Sequence, residues 1–111
     1  VTARAESEVD VVRIALAHWA NGCRTSVLVV APCPPSKAIA RDEIDGAVND
    51  ALAAASETGV RGSAVTPFLL ARVAASTGGR ALAANLALLE NNARIAGRIA
   101  VSLDRGMARE S

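Results

Sequence analysis

The chain has 111 residues, room for one modest core, and a formal net charge of +1, which gives no electrostatic ground for binding nucleic acid or an acidic membrane. Apolar residues make up 51% but aromatics only 2%, so a core drawn mainly from alanine, valine and leucine buries little area per residue. No apolar run approaches the ~20 residues that span a bilayer, and VTARAESEVD at 1–10 holds no apolar stretch of the signal-peptide kind.

Ser7-Glu8-Val9-Asp10 has the form of a capping box and predicts a helix to about Asn21, ended by Gly22. Val12, Ala15, Leu16 and Trp19 make its inner face. His18 lies beside that face with no second ligand-type residue at i±3 or i±4, which favours a structural role over a metal-binding one. The β-branched run SVLVVA at 26–31 predicts a strand buried on both sides. One strand is not a sheet, so its neighbours must come from a partner chain or another part of the protein. Cys23 and Cys33 flank this run, and ten extended residues hold them roughly 30 Å apart, too far for a disulfide. Reduced thiols and a cytoplasmic setting are the expectation.

Pro32-Cys33-Pro34-Pro35 forces an extended turn that reads first as a rigid connector, although loops leaving a strand in this way commonly line a ligand cleft in α/β folds. With no histidine near it in sequence, Cys33 makes a poor candidate nucleophile. A helix follows from about Asp42 to Glu57, with Asp42, Glu43 and Asp45 at its positive end and Ile44, Val48, Ala51, Leu52 and Ala55 inward; Gly59 stops it. Thr66 is a good N-cap for the next helix, with Pro67 at the first position and Val65 stapled to Leu70. Leu69, Leu70, Val73 and Ala74 form its core face as far as Gly78-Gly79.

One long helix then runs from the Gly-Gly turn to about Leu103 and carries two neighbouring apolar stripes. Leu82, Leu86, Leu89, Ala93, Ala96, Ala100 and Leu103 form the first; Asn85, Leu88, Asn92, Ile95 and Ile99 form the second. More than half of the circumference therefore wants burial. A buried amide without partners costs about 1–3 kcal/mol, so the Asn85 and Asn92 pair marks a polar site or interface, whereas Asn91 points outward toward Arg94 and Arg98. The tail RGMARES, 105–111, has no apolar period and is expected to fray, as are residues 1–6. The chain holds no internal repeat, no glycine-rich phosphate loop and no Cys/His cluster.

The run VTPFLLARVAASTGGRALAANLALLENNARIAGRIAVSL closely resembles the C-terminal part of the pseudouridine-5′-phosphate glycosidases, also called indigoidine synthase A-like proteins. HWANGCRTSVLVVAPCP and DEIDGAVNDALAAASETGVRG resemble the preceding family segments, so the likeness runs from about residue 8 to residue 103. The resemblance implies an α/β fold: residues 1–111 would be the C-terminal part of a single domain, an α/β/α sandwich contributing about four helices and one buried strand, in a homotrimer. It implies reversible cleavage of the C–C glycosidic bond of pseudouridine 5′-phosphate to uracil and ribose 5-phosphate. In the family a lysine forms an imine with the opened sugar, a carboxylate handles protons, and manganese is bound through an aspartate. All of these lie in the family's N-terminal part, so this segment holds no catalytic residue or metal ligand, and Lys37 does not inherit the imine role. The resemblance carries one site residue onto this chain, Asn85, whose family counterpart contacts the sugar phosphate; Asn92 is a supporting candidate behind it.

Departures from the family pattern fall in two loops: Thr25-Ser26 for Gly-Gly, Ala31 for Asn, Cys33 for Ile, Ser36 for an acidic residue and Ser63 for Lys. They keep a second reading open, a non-catalytic assembly or packing module descended from the same family. On the first reading the partners are the rest of the glycosidase chain and a small nucleotide substrate, with neither nucleic acid nor membrane.

Overall fold

The structure, a computed structural model, describes residues 3–110. Its elements are four α-helices, α1 (Glu8–Ala20), α2 (Arg41–Glu57), α3 (Val65–Ser76) and α4 (Arg80–Glu110), with a short 3₁₀ turn at Gly62–Ala64 leading into α3. They fall into two compact units, Val1–Pro32 with Glu90–Ser111 and Cys33–Leu89, so α4 contributes to both.

In the first unit α1 starts where the sequence predicts. The Ser7 hydroxyl accepts the Asp10 N–H at 3.2 Å, and the Asp10 carboxylate reaches back to the Glu6 N–H at 3.3 Å, one residue before the reciprocal bond of a standard capping box. Gly22, at φ 82°, ends the helix, its N–H returning to Trp19 O. Val12 and Ala15 are buried and Leu16 half-buried. They face the far half of α4, where Gly106 lets the backbone approach: a Cβ built there would lie 3.2 Å from Leu16 Cδ1 and 3.4 Å from Val12 Cγ1. An Arg98–Glu8 ion pair at 3.3 Å closes the same contact. The 105–111 tail is not frayed over its described part, since α4 is helical through Glu110. Packing against α1 at Gly106 supplies what a lone tail lacks. Residues 1, 2 and 111 lie outside the described residues.

The predicted buried strand is absent. Residues 26–31 form no strand, and every residue from Asn21 to Val30 is exposed. A strand exists only through its neighbours, and the described residues supply none.

In the second unit α2 packs on α3. Ala51 and Ala55 are buried, and Ile44 and Val48 half-buried, as the period requires; Leu52 is instead exposed. Gly59 carries φ 72°, and the Gly59 and Val60 N–H groups return to Ser56 O and Ala55 O, a Schellman stop. The start of α3 differs from expectation. The 3₁₀ turn runs straight into the helix, the Val65 N–H returning to Gly62 O, and the helix begins at Val65 with no side-chain cap. Thr66 therefore sits inside the first turn, exposed, and Leu70 is too exposed to staple to Val65.

Gly78 and Gly79, at φ 59° and 81°, make the second Schellman stop and turn the chain into α4. Thr77 joins the two helices. Its hydroxyl donates to Val73 O at 2.8 Å and accepts the Ala81 N–H at 3.1 Å, and the residue is only 2% exposed. Arg80 adds a second tie: Nε donates to Thr77 O at 3.2 Å while the guanidinium forks onto the Glu43 carboxylate, with Nη1 3.2 Å from Oε2 and Nη2 on Oε1.

Candidate functional site

The covered side of α4 is the line Ala81, Ala84, Leu88, Asn91, Ile95 and Ile99, all half-buried. Leu88, Ile95 and Ile99 belong to the predicted second stripe. The two amides placed with them do not follow: Asn85 and Asn92 are exposed, and Asn91, expected to be outward, is half-buried. At 100° per residue both amides fall on the border between the covered line and the first stripe. That stripe is open, with Leu82, Leu86 and Leu89 each more than half exposed. The helix carries apolar surface for two contacts, and the described residues fill one.

Neither Asn85 nor Asn92 has a side-chain hydrogen bond among the described residues, so each presents an unengaged carboxamide with two donors and an oxygen acceptor. The two lie seven residues apart, about 10.5 Å along the axis. Arg80 and Thr77 hold the start of the helix that carries Asn85. Beside Asn85 the Cys33 thiol reaches Ala84 O at 3.7 Å, a weak S–H···O contact that seats the Pro32–Pro35 loop against that turn of α4. The loop following the extended segment and the Asn85 turn are thus brought together. An amide carries no proton that titrates near neutrality, so such a site can bind and orient a hydroxyl or phosphate oxygen but cannot itself act as acid, base or nucleophile.

The remaining candidates have structural partners. His18 Nε2 lies 2.7 Å from Thr25 Oγ1, and the Trp19 indole N–H donates to Thr25 O at 3.1 Å. One of the residues that departs from the family pattern, Thr25, therefore fastens the chain to the end of α1. Lys37 is exposed in a turn, its N–H bonded to Pro34 O at 3.0 Å. Cys23 and Cys33 are both free thiols. Among the described residues no three His, Cys, Asp or Glu side chains come together, so the donor set here does not fit a manganese ion and no step is assigned through one. No helix among the described residues is long and apolar enough to cross a membrane. The sequence reading missed Thr77 and the Cys33–Ala84 contact. A threonine directly before Gly-Gly and a new helical period was the available signal for the first; the second had none, being a contact across fifty-one residues.

The family model for indigoidine synthase A like protein matches residues 1–102. The chain is 49% identical over 106 residues to the pseudouridine-5′-phosphate glycosidase of Gemmatimonas aurantiaca and 42% identical over 106 residues to that of Kosmotoga olearia, in each case over 96% of this chain. It also superposes on the crystal structure of the prealnumycin C-glycosynthase AlnA in complex with ribulose 5-phosphate, with a TM-score of 0.84, 30% identity and 96% of this chain covered. This chain belongs to the indigoidine synthase A-like family. It spans about a third of the length of these relatives: 35% of the Gemmatimonas protein, 37% of the Kosmotoga protein and 35% of the C-glycosynthase.

Proposed function

We propose that this chain is the C-terminal segment of a pseudouridine-5′-phosphate glycosidase, part of a single α/β domain whose reaction chemistry is carried out by residues outside it. The observation that carries this reading is Asn85, an exposed, unengaged amide on a helix held at its start by Thr77 and Arg80, in a chain 49% identical to a glycosidase of that name. On this reading the whole enzyme reversibly cleaves the C–C glycosidic bond of pseudouridine 5′-phosphate, and Asn85 binds the sugar phosphate with Asn92 supporting it. The enzyme is cytoplasmic and homotrimeric, and its manganese is held by carboxylates beyond this segment. The 111 residues alone are inactive, because an amide can position a substrate but cannot transfer its protons.

The test is uracil release by this chain carried in the full-length enzyme, beside Asn85→Ala. Losing one hydrogen bond to a charged ligand costs about 1.5–3 kcal/mol, so kcat/KM should fall roughly 10- to 150-fold. An unchanged kcat/KM for Asn85→Ala removes Asn85 from the site. The alternative, a non-catalytic assembly module, draws on the limited span of the chain and on the altered loop at Ala31 and Cys33. It predicts no uracil release from any form containing this segment.

A further inference from the structure

Between α1 and the far half of α4 runs a groove whose lining carries Arg13, Arg94, Arg98, Arg105 and Arg109 against one carboxylate, Glu8. At about 100° per residue the four arginines of α4 fall within an arc of about 60° and extend over about 22 Å of the axis, a straight cationic ridge. Three of the five guanidiniums have a carboxylate: Glu8 lies 3.3 Å from Arg98, Glu90 2.9 Å from Arg94 and Asp10 3.9 Å from Arg13. Arg105 and Arg109 have no ion pair among the described residues and, four positions apart on one helix, repel each other. The floor beneath the ridge is apolar and open. Val9 and Val101 are 56% and 52% exposed, and nothing lies within 4 Å of a Cβ built on Gly97.

We propose that this groove docks an acidic amphipathic helix of a separate partner protein, its carboxylates on the arginine ridge and its apolar face on Val9, Gly97 and Val101. Charge complementarity sets the sign of the partner, since a row of guanidiniums is matched by carboxylates that they can fork onto. Length and floor set its form. A single phosphate would engage only one or two of the arginines, and the lining holds no aromatic ring on which a nucleic-acid base could stack. A planar membrane surface cannot follow a floor recessed between two helices, whereas a helix can lie in it, and the missing side chain at Gly97 lets a second backbone come close. The remainder of a family-length polypeptide is a poorer occupant. Arginines without partners are almost never fully buried, so the ridge belongs on the outside of the assembled enzyme. The proposal stands apart from the glycosidase reading, and absence of uracil release leaves it intact.

The test uses this chain carried in the full-length enzyme and a fluorescein-labelled helical peptide of about 18 residues, with leucine along one face and glutamate beside it, long enough to follow the ridge. Fluorescence anisotropy should show binding that weakens at least ~10-fold between about 0.05 and 0.5 M salt. The same helix with lysine for glutamate should not bind, and an all-glutamate peptide, which lacks the apolar face, should bind at least ~10-fold more weakly. Arg105→Glu combined with Arg109→Glu should weaken binding of the acidic helix at least ~10-fold, because neither side chain has a partner to lose and both would now repel the peptide. Gly97→Leu fills the open floor and should weaken binding to a similar degree without lowering Tm. Uracil release should be the same in these variants as in the parent. No binding of the acidic helix overturns the proposal. Failure of phenylglyoxal to modify Arg105 and Arg109 in the full-length enzyme overturns it too, since the rest of the polypeptide then covers the groove. Binding that survives both the charge reversal and Gly97→Leu places the peptide elsewhere and rejects this surface. Equal or tighter binding of the all-glutamate peptide, a DNA oligonucleotide or phosphatidylserine vesicles makes the ridge a general polyanion surface and rejects the helix.

Discussion

Thr77 shows how much one hydroxyl can organise. It is buried, donates to the last turn of α3 and accepts from the first turn of α4, so removing it strands the Ala81 N–H at the helix junction, while Val73 O keeps the Thr77 N–H at 3.1 Å. Thr77→Val keeps the shape and loses both bonds; urea unfolding should show a loss of about 1–3 kcal/mol, and Thr77→Ser should retain most of it. Glu8 makes a different kind of prediction. Its own backbone N–H, and then the Arg98 guanidinium, hold its carboxyl below the usual carboxylate range. A carboxyl that titrates lower when folded stabilises the fold fully above the unfolded value and loses that contribution as pH falls through the folded one. Glu8→Gln should therefore lower the urea midpoint at neutral pH and flatten its fall toward about pH 3, where the two proteins converge.

At the scale of the element, α4 contains two glycines that the same substitution should separate. Nothing lies within 4 Å of a Cβ built on Gly97, so Gly97→Ala should stabilise the protein by about 0.5–1 kcal/mol through backbone entropy alone. At Gly106 the new methyl would meet Leu16 and Val12 at 3.2 and 3.4 Å, which offsets the same gain; Gly106→Leu should destabilise, because larger groups have nowhere to go. Thermal melts of the three variants check the order. The ends of the helices were legible in the sequence because they are local: Ser7 caps, and Gly22, Gly59 and Gly78 stop, each through bonds to residues a few positions away. The face of α4 was not. Its two stripes are similarly apolar, and periodicity cannot say which of two good faces the available partners will cover, so Asn85 and Asn92 were placed inside when they lie on the border. The Thr66 cap failed because the 3₁₀ turn leads the chain into the helix at Val65, which puts Thr66 inside the first turn instead of ahead of it.

For the molecule as a whole, the buried apolar core among the described residues is Val12, Ala15, Ala51 and Ala55, while the leucines at 28, 82, 86 and 89 are exposed. Alanine buries little area, so most of the apolar surface that could drive folding remains in water. The chain alone should therefore bind the dye anilinonaphthalene sulfonate strongly, and carrying it in the full-length enzyme should abolish most of that fluorescence. Equal dye binding in both forms would mean that the rest of the polypeptide does not cover these surfaces. The same deficit explains why the strand at 26–31 was readable as a tendency but not as an outcome: valine content is written in this chain, and its pairing partners are not.

The Thr25 clasp gives this molecule a built-in optical probe. Trp19 is the only tryptophan, and no tyrosine competes with it. Its indole N–H is bonded to the carbonyl of the residue immediately before the extended run, and the ring is 40% exposed. Ordering of that run would shift the emission maximum and quenching of this single fluorophore without any label. Stopped-flow fluorescence could then time the event in the unmodified protein.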